Sequence, residues 1–208
     1  MTTNKIIIFV VFVCCALMTS LFVYHNTHKQ VLTTLADGNV TLFPVARDIK
    51  PFELTASNNQ KFTQNNLMNH WSIVFFGFTH CSSICPTTLD MLGHAYNKLH
   101  ESYPNLQVVL VTLDPSRDTL SALSNFTHSF HPAFIGVTGK IQDIRKLQSQ
   151  LGIFSAQDGT ASDPNYQIQH SATIVLINPE GKWVGMFKYG MTPDQFTAAF
   201  EESMKHYA

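Results

Sequence analysis

Two short apolar runs constrain this chain more than any other feature. Residues 72–78 read SIVFFGF and residues 106–113 read LQVVLVTL. Both are short and almost wholly apolar, the first with β-branched and aromatic residues and the second with β-branched ones, so each predicts a strand covered on both faces, as inside a parallel sheet. Parallel neighbours need a crossover. After Pro86, the residues Leu89, Leu92, Tyr96 and Leu99 recur at helical spacing and supply one. Leu120 to Phe130 predicts a second helix, stopped by His131-Pro132. Phe134 to Val137 predicts a strand, and Lys140 to Leu151 a helix closed by Gly152. Thr173 to Ile177 is another β-branched strand. Asn178-Pro179-Glu180-Gly181 is a turn signal, and Trp183 to Tyr189 returns as its hairpin partner. Thr192, Pro193 and Gln195 predict a capping box at the head of the last helix. Upstream, Phe43 to Leu54 with Pro44 and Pro51 predicts short edge strands or a hairpin, and Asn58-Asn59-Gln60 a turn. Strands alternating with helices imply an α/β domain with helices on both faces of the sheet.

Charged residues make up 13% of the chain, about half the ~25% usual for a globular domain. With a net charge of −1, a nucleic-acid binder that works by neutralising phosphates is excluded. A hydrophobic fraction of 45% excludes a disordered acidic chain. Ile6 to Tyr24 contains no charge, and as a helix it would span about 28 Å, close to the hydrocarbon thickness of a bilayer. A signal-peptide core is shorter, roughly 7–15 residues, and ends in a small-x-small site. No Ala-x-Ala follows this run, and Val13 rather than a small residue precedes Cys14. The expectation is an uncleaved single-pass anchor over residues 1–24, a polar tether over 25–42 and a working domain over 43–208. Lys5 and Lys29 nearly balance across the span. A head so short implies a small cytoplasmic N-terminus and an exported C-terminal body; no Arg-rich amphipathic presequence is visible, and the expected location is a bacterial inner membrane with the body facing the periplasm. Cys14 and Cys15 then read as apolar filler within the span.

Cys81 and Cys85 stand in Thr79-His80-Cys81-Ser82-Ser83-Ile84-Cys85-Pro86, between the first buried strand and the helix after it. Sites in α/β sheets gather outside the carboxyl ends of the strands. Pro86 suits the first helical position, so both thiols are expected at or before a helix N-terminus, where the dipole and free N–H groups favour thiolate. Residues four apart in one turn bring their Cα atoms to about 5–6 Å, which suits a disulfide and equally lets two sulfurs hold one metal ion. The spacing is neither the thioredoxin CxxC nor the c-type haem motif. Two buried structural cysteines are the plain alternative. Soft thiolates select Cu(I), zinc or iron–sulfur clusters. Two thiols are too few for a four-cysteine site, whereas two Cys and one His make a three-coordinate copper site. His70, His94, His100, His128, His131 and His206 lie among polar residues, and His80 is expected to point away from Cys81. His170 leads the candidates. It lies in Tyr166-Gln167-Ile168-Gln169-His170-Ser171, just before a strand and after the polar segment Ser155 to Asn165.

From about Pro44 to Met204 the chain resembles the Sco/SenC family of membrane-anchored copper proteins. The resemblance rests on Phe76-Gly77-Phe78-Thr79-His80-Cys81, on Cys85-Pro86-Thr87-Thr88-Leu89, and on Val111 through Asp114-Pro115-Ser116-Arg117-Asp118-Thr119. It also rests on Tyr166 through His170-Ser171, followed by Leu176 through Gly181. It implies a thioredoxin-like three-layer sandwich with an extra N-terminal hairpin, preceded by one transmembrane helix. It implies that Cys81, Cys85 and His170 bind one copper ion, Cu(I) with Cu(II) as a second state, and that Asp114 is an acidic residue near the site. The implied role is a copper chaperone for the dinuclear copper centre of cytochrome c oxidase subunit II. A periplasmic copper donor and a thioredoxin-like reductant would be further partners. Two residues depart from the family pattern. Ser82-Ser83 replaces the usual Pro-Asp, and Gln169 replaces a frequent Asp, so two anions are missing and a bound cation should be stabilised less. The alternative from the same residues is a thiol–disulfide oxidoreductase that keeps the oxidase cysteines reduced, with Cys81 and Cys85 as its redox pair. A peroxide-reducing enzyme, using Thr79 and Arg117 around one Cys, is the third reading.

Overall fold

The computed structural model describes residues 12–20, 33–35, 38–159, 163 and 165–207. The chain divides into two units, Met1–Val31 and Leu32–Ala208. In the first, residues 12–20 form a helix, α1, with exposed side chains. Among the described residues no helix is long and apolar enough to cross a membrane. Most of the span expected over residues 6–24 lies outside the described residues.

In the second unit the two apolar runs form the centre of the sheet. Strands β5 (Trp71–Gly77) and β6 (Leu106–Thr112) pair in parallel, with Phe75 opposite Leu110 and Gly77 opposite Thr112. Strand β7 (Ile135–Thr138) adds in parallel beside β6. On the other side, β10 (Ile174–Ile177) runs antiparallel to β5, and β11 (Trp183–Phe187) antiparallel to β10 across the expected Asn178–Gly181 turn. Side chains alternate across a strand, and here they fill two cores. Ile73, Phe75, Val108, Leu110, Ile174 and Leu176 pack with the helices α2 (Ile84–Leu99), α3 (Leu120–Phe130) and α5 (Pro193–Tyr207). Val74, Phe76, Val109, Val111, Val175 and Ile177 pack with α4 (Ile141–Gln150). Fully burying a side chain of this size stabilises by roughly 1.5–3 kcal/mol, and every one of these strand residues is 3% exposed or less. A run apolar on both faces therefore had one place to go, between two layers of helices.

Three features differ from the sequence expectations. Of the two readings of Phe43 to Leu54, edge strands or a hairpin, the segment forms separate strands one place in from each edge and does not fold back as one hairpin. Strand β2 (Val40–Arg47) joins β11 near one edge of the nine-stranded sheet, and β3 (Glu53–Ala56) joins β7 near the other. The two edge hairpins are instead β1 (Thr33–Leu35) with β2, and β3 with β4 (Lys61–Thr63) across the Asn58–Gln60 turn. Part of the polar stretch read as tether is thus strand, because Val40 and Leu42 point into the core at 0% exposure. The polar segment Ser155 to Asn165, which carries no strand signal in the sequence, begins with strand β8 (Ser155–Asp158). It pairs with β9 (Gln167–His170) in a separate two-stranded sheet. All four side chains of β8 are exposed, so no apolar alternation marked it in the sequence.

The capping box at α5 forms as expected. The Gln195 amide donates to Thr192 Oγ1 at 3.2 Å, and the Thr192 amide donates to Gln195 Oε1 at 2.9 Å. Thr192→Ala should lower unfolding stability by about 1 kcal/mol in a urea titration, with an unchanged slope. An unchanged midpoint would show that the cap contributes nothing here.

Candidate metal centre

The β5 backbone ends at Gly77, turns through residues 78–83 and enters α2 at Ile84. Pro86 is therefore the third helical residue, not the first. Ser83 gives the helix no side-chain cap bond. One of the free N-terminal amides finds sulfur instead: Cys85 N–H donates to Cys81 Sγ at 3.4 Å. Cys81 is partly exposed, while Cys85 is fully buried. The space for the Cys85 sulfur exists because residue 77 is glycine. A Cβ there would lie 2.8 Å from Cys85 Sγ, closer than such atoms come.

The third donor arrives from β9. In β9 and the two residues before it, inward positions 166, 168 and 170 alternate with exposed positions 165, 167 and 169. This turns the His170 ring toward Phe75 and Phe78, with centroids 5.9 and 6.3 Å away. His170 Nε2 lies 3.6 Å from Cys85 Sγ, across 85 positions of sequence. Its Nδ1 lies 3.0 Å from the Ser171 carbonyl, which can only accept, so the proton sits on Nδ1 and the Nε2 lone pair faces the sulfurs. The donor atoms of Cys81, Cys85 and His170 all lie within 4.8 Å of one another.

Burial sets the charge of this group. It pushes the Cys85 thiol well above the ordinary range. The hydrogen bond with Cys81, the electrostatic influence of that neighbouring thiol and the negative charge of Asp118 push the same way, against a weaker opposing bond from the Phe78 backbone. The thiolate expected from the helix dipole is thus not obtained at Cys85, because a buried anion costs more than one helix end returns. Burial also pulls His170 below its ordinary value, opposed by the Ser171 bond, so the imidazole is neutral at neutral pH.

Asp114 is buried, at 2% exposed, but it contacts the β9 segment and not the sulfurs. It pairs with Arg117 Nε and accepts the Tyr166 hydroxyl at 2.7 Å. The Arg117 guanidinium lies 3.6 Å over the Tyr166 ring and donates to the Tyr166 carbonyl at 3.0 Å. The second buried acid of this turn is Asp118, which the sequence reading missed and which contributes least among the influences that raise Cys85. It is 1% exposed and accepts the Thr79 amide at 3.2 Å, the Thr79 hydroxyl at 2.6 Å and the Thr112 hydroxyl. A second acid four residues after Asp114, in a turn leaving the neighbouring parallel strand, was the available signal. Thr79 and Arg117, the pair required by a peroxide-reducing site, are both engaged with these acids. His80 is not in the group formed by Cys81, Cys85 and His170; its Nδ1 lies 3.0 Å from Thr79 Oγ1 and 3.7 Å from Asp118 Oδ1. His100 and His131 flank Tyr96 elsewhere. The departures Ser82, Ser83 and Gln169 are exposed, and Gln169 donates to Asp158 at 3.2 Å on the outer side of β9.

Two sulfurs and one imidazole nitrogen suit a soft ion of low coordination number and fall one donor short of a closed zinc tetrahedron. Comparison with known proteins bears on this arrangement. The SCO1/SenC family model matches residues 44–205. A SCO2-like protein of Rickettsia conorii is 36% identical over 145 residues, covering 69% of this chain and 71% of the relative. The copper-bound crystal structure of Arabidopsis thaliana ScoI matches with a TM-score of 0.71 at 30% identity, covering 76% of this chain and 98% of that one. Copper-bound yeast Sco1 matches with a TM-score of 0.70 at 30% identity, over 76% and 89%.

The two thiols should react unequally. Near neutral pH, alkylation of the reduced chain with iodoacetamide should label Cys81 at least about tenfold faster than Cys85, since each unit by which a thiol is raised costs tenfold in thiolate. Equal rates, read by peptide mass mapping, would contradict the burial described for Cys85.

Proposed function

This chain belongs to the SCO1/SenC family, and from that premise we propose that it is a copper chaperone. It holds one copper ion on Cys81, Cys85 and His170 and delivers it to the dinuclear copper site of cytochrome c oxidase subunit II. The observation that carries this reading is the convergence of three soft or borderline donors from two separate elements. The copper-bound state of the Arabidopsis and yeast relatives supports it. The chain's residues contribute in distinct ways. Cys81, partly exposed at the loop, is where cargo enters and leaves. Cys85 is the interior donor and must lose its proton on loading, so loading releases protons and tightens as pH rises. His170 offers a neutral lone pair already turned inward, which balances two anionic sulfurs without adding a third charge.

In this reading residues 1–24 anchor the chain in a bacterial inner membrane. The tether ends where β1 begins at Thr33, and the domain that starts there, extending the 43–208 expected from the sequence, works on the periplasmic side with a copper donor and a thioredoxin-like reductant. Thiol–disulfide exchange with the oxidase cysteines is the second reading. It is favoured by the pairing of a partly exposed Cys81 with a buried Cys85, the layout of an attacking and a resolving thiol. That reaction needs no imidazole, so His170 separates the two.

The reduced chain should bind about one copper per chain. The form oxidised between Cys81 and Cys85 should bind little, because the disulfide removes both thiolates. His170→Ala should weaken Cu(I) binding by more than about 100-fold, beyond the 10–100-fold that loss of an outer partner costs, while the disulfide still forms. Equal copper in reduced and oxidised chains, or full affinity in His170→Ala, would overturn the chaperone reading.

A further inference from the structure

The β8–β9 hairpin that carries His170 is not part of the nine-stranded sheet. A two-stranded hairpin is marginal by itself in water, and β8 buries none of its side chains. The placement of His170 against Cys85 therefore has to be imposed from outside the hairpin. Two of the three inward positions of the segment do this. Ile168 packs against both cores. Tyr166 meets Asp114 and Arg117 on the turn between β6 and α3, with its hydroxyl, its ring and its carbonyl all engaged. The same short turn reaches the other half of the site. Asp118 takes the amide and hydroxyl of Thr79, two residues before Cys81. Within the turn, the Arg117 and Asp118 amides both donate to the Asp114 carbonyl, at 3.2 and 2.9 Å, so its two ends move together.

We propose that the Asp114–Asp118 turn is a positioning clamp that sets the separation of sulfur and imidazole. Arg117 and Tyr166 hold the imidazole half, and Asp118 holds the sulfur half. The inference rests on the copper reading above and deepens it. None of these side chains donates to the metal. Arg117 acts through a planar guanidinium, which stacks on the ring and donates to the carbonyl at once, a combination that lysine lacks. Tyr166 acts through a hydroxyl that keeps it seated on a buried carboxylate. Partners of this kind, one step out from a ligand, change metal affinity by about 10–100-fold.

The test compares Cu(I) affinity, measured on the reduced full chain by competition with a chromophoric Cu(I) chelator, across a double-mutant cycle. Tyr166→Phe should weaken binding about tenfold. Added to His170→Ala it should cost less than about twofold more, because the hydroxyl acts only through the imidazole. Arg117→Lys should behave as Tyr166→Phe does and serves as the second variant. The Cys81–Cys85 reduction potential should stay at the parent value in both and shift in Asp118→Asn. Parent affinity in Tyr166→Phe together with weak binding in His170→Ala would overturn the clamp and leave the chaperone reading standing. Equal losses in the parent and His170→Ala backgrounds would also overturn the clamp, since they would mean only general loosening. Parent affinity in His170→Ala would remove the reading on which the clamp rests.

Discussion

The parallel register of β5 and β6 is the constraint on which the site depends. Gly77 stands opposite Thr112, and the Leu113 amide donates to the Gly77 carbonyl at 2.7 Å, so the two central strands end level. Because they run the same way, the turns that follow them leave side by side. One carries Cys81 and Cys85 and the other Asp114, Arg117 and Asp118. A one-residue slip would turn Phe75 and Phe76 to the wrong cores and separate Thr79 from Asp118. Two buried carboxylates would be costly in an apolar sheet. Here each has donors. Asp114 has an arginine and a tyrosine, and Asp118 has two threonine hydroxyls and an amide.

What the register brings together, burial then tunes. Phe75 and Phe78 border the imidazole, and the Cys85 sulfur sits in the space left by Gly77. In such surroundings neutral forms win, so the resting site holds a protonated Cys85 and an uncharged His170. A cation supplies the charge that makes deprotonation of the buried thiol favourable. On the reading proposed above, proton and metal would compete for the same sulfur.

Much of this was readable from residue order. The central strands, the helix Leu120–Phe130, the last hairpin and the Thr192 cap follow from apolar periodicity and turn chemistry, which are local. The three donors were reached by residue type and by family resemblance, and the structure brings them within 4.8 Å. Less was readable where tertiary partners decide. Strand β8 has no apolar face and is strand because Ser155 to Asp158 pair with His170 to Gln167. Helix α2 begins two residues before Pro86 because the Cys81 sulfur accepts the Cys85 amide. The helix dipole suggested a thiolate at Cys85, but burial outweighs it. Asp114, picked out as an acid near the site, pairs with Arg117 and Tyr166 beside the imidazole strand, while Asp118, four residues on, holds Thr79 ahead of Cys81. Which of two acids in one turn faces which half is decided by side-chain partners, and spacing carries no record of them.

X-ray absorption at the copper edge, on the reduced chain loaded with one Cu(I), tests the central claim most directly because it counts the donors. Two sulfur neighbours and one imidazole nitrogen on a single copper are expected, with the nitrogen lost in His170→Ala. A copper bound by sulfur alone in the parent chain, or a copper–copper neighbour from a cluster shared between chains, would contradict a site built from Cys81, Cys85 and His170.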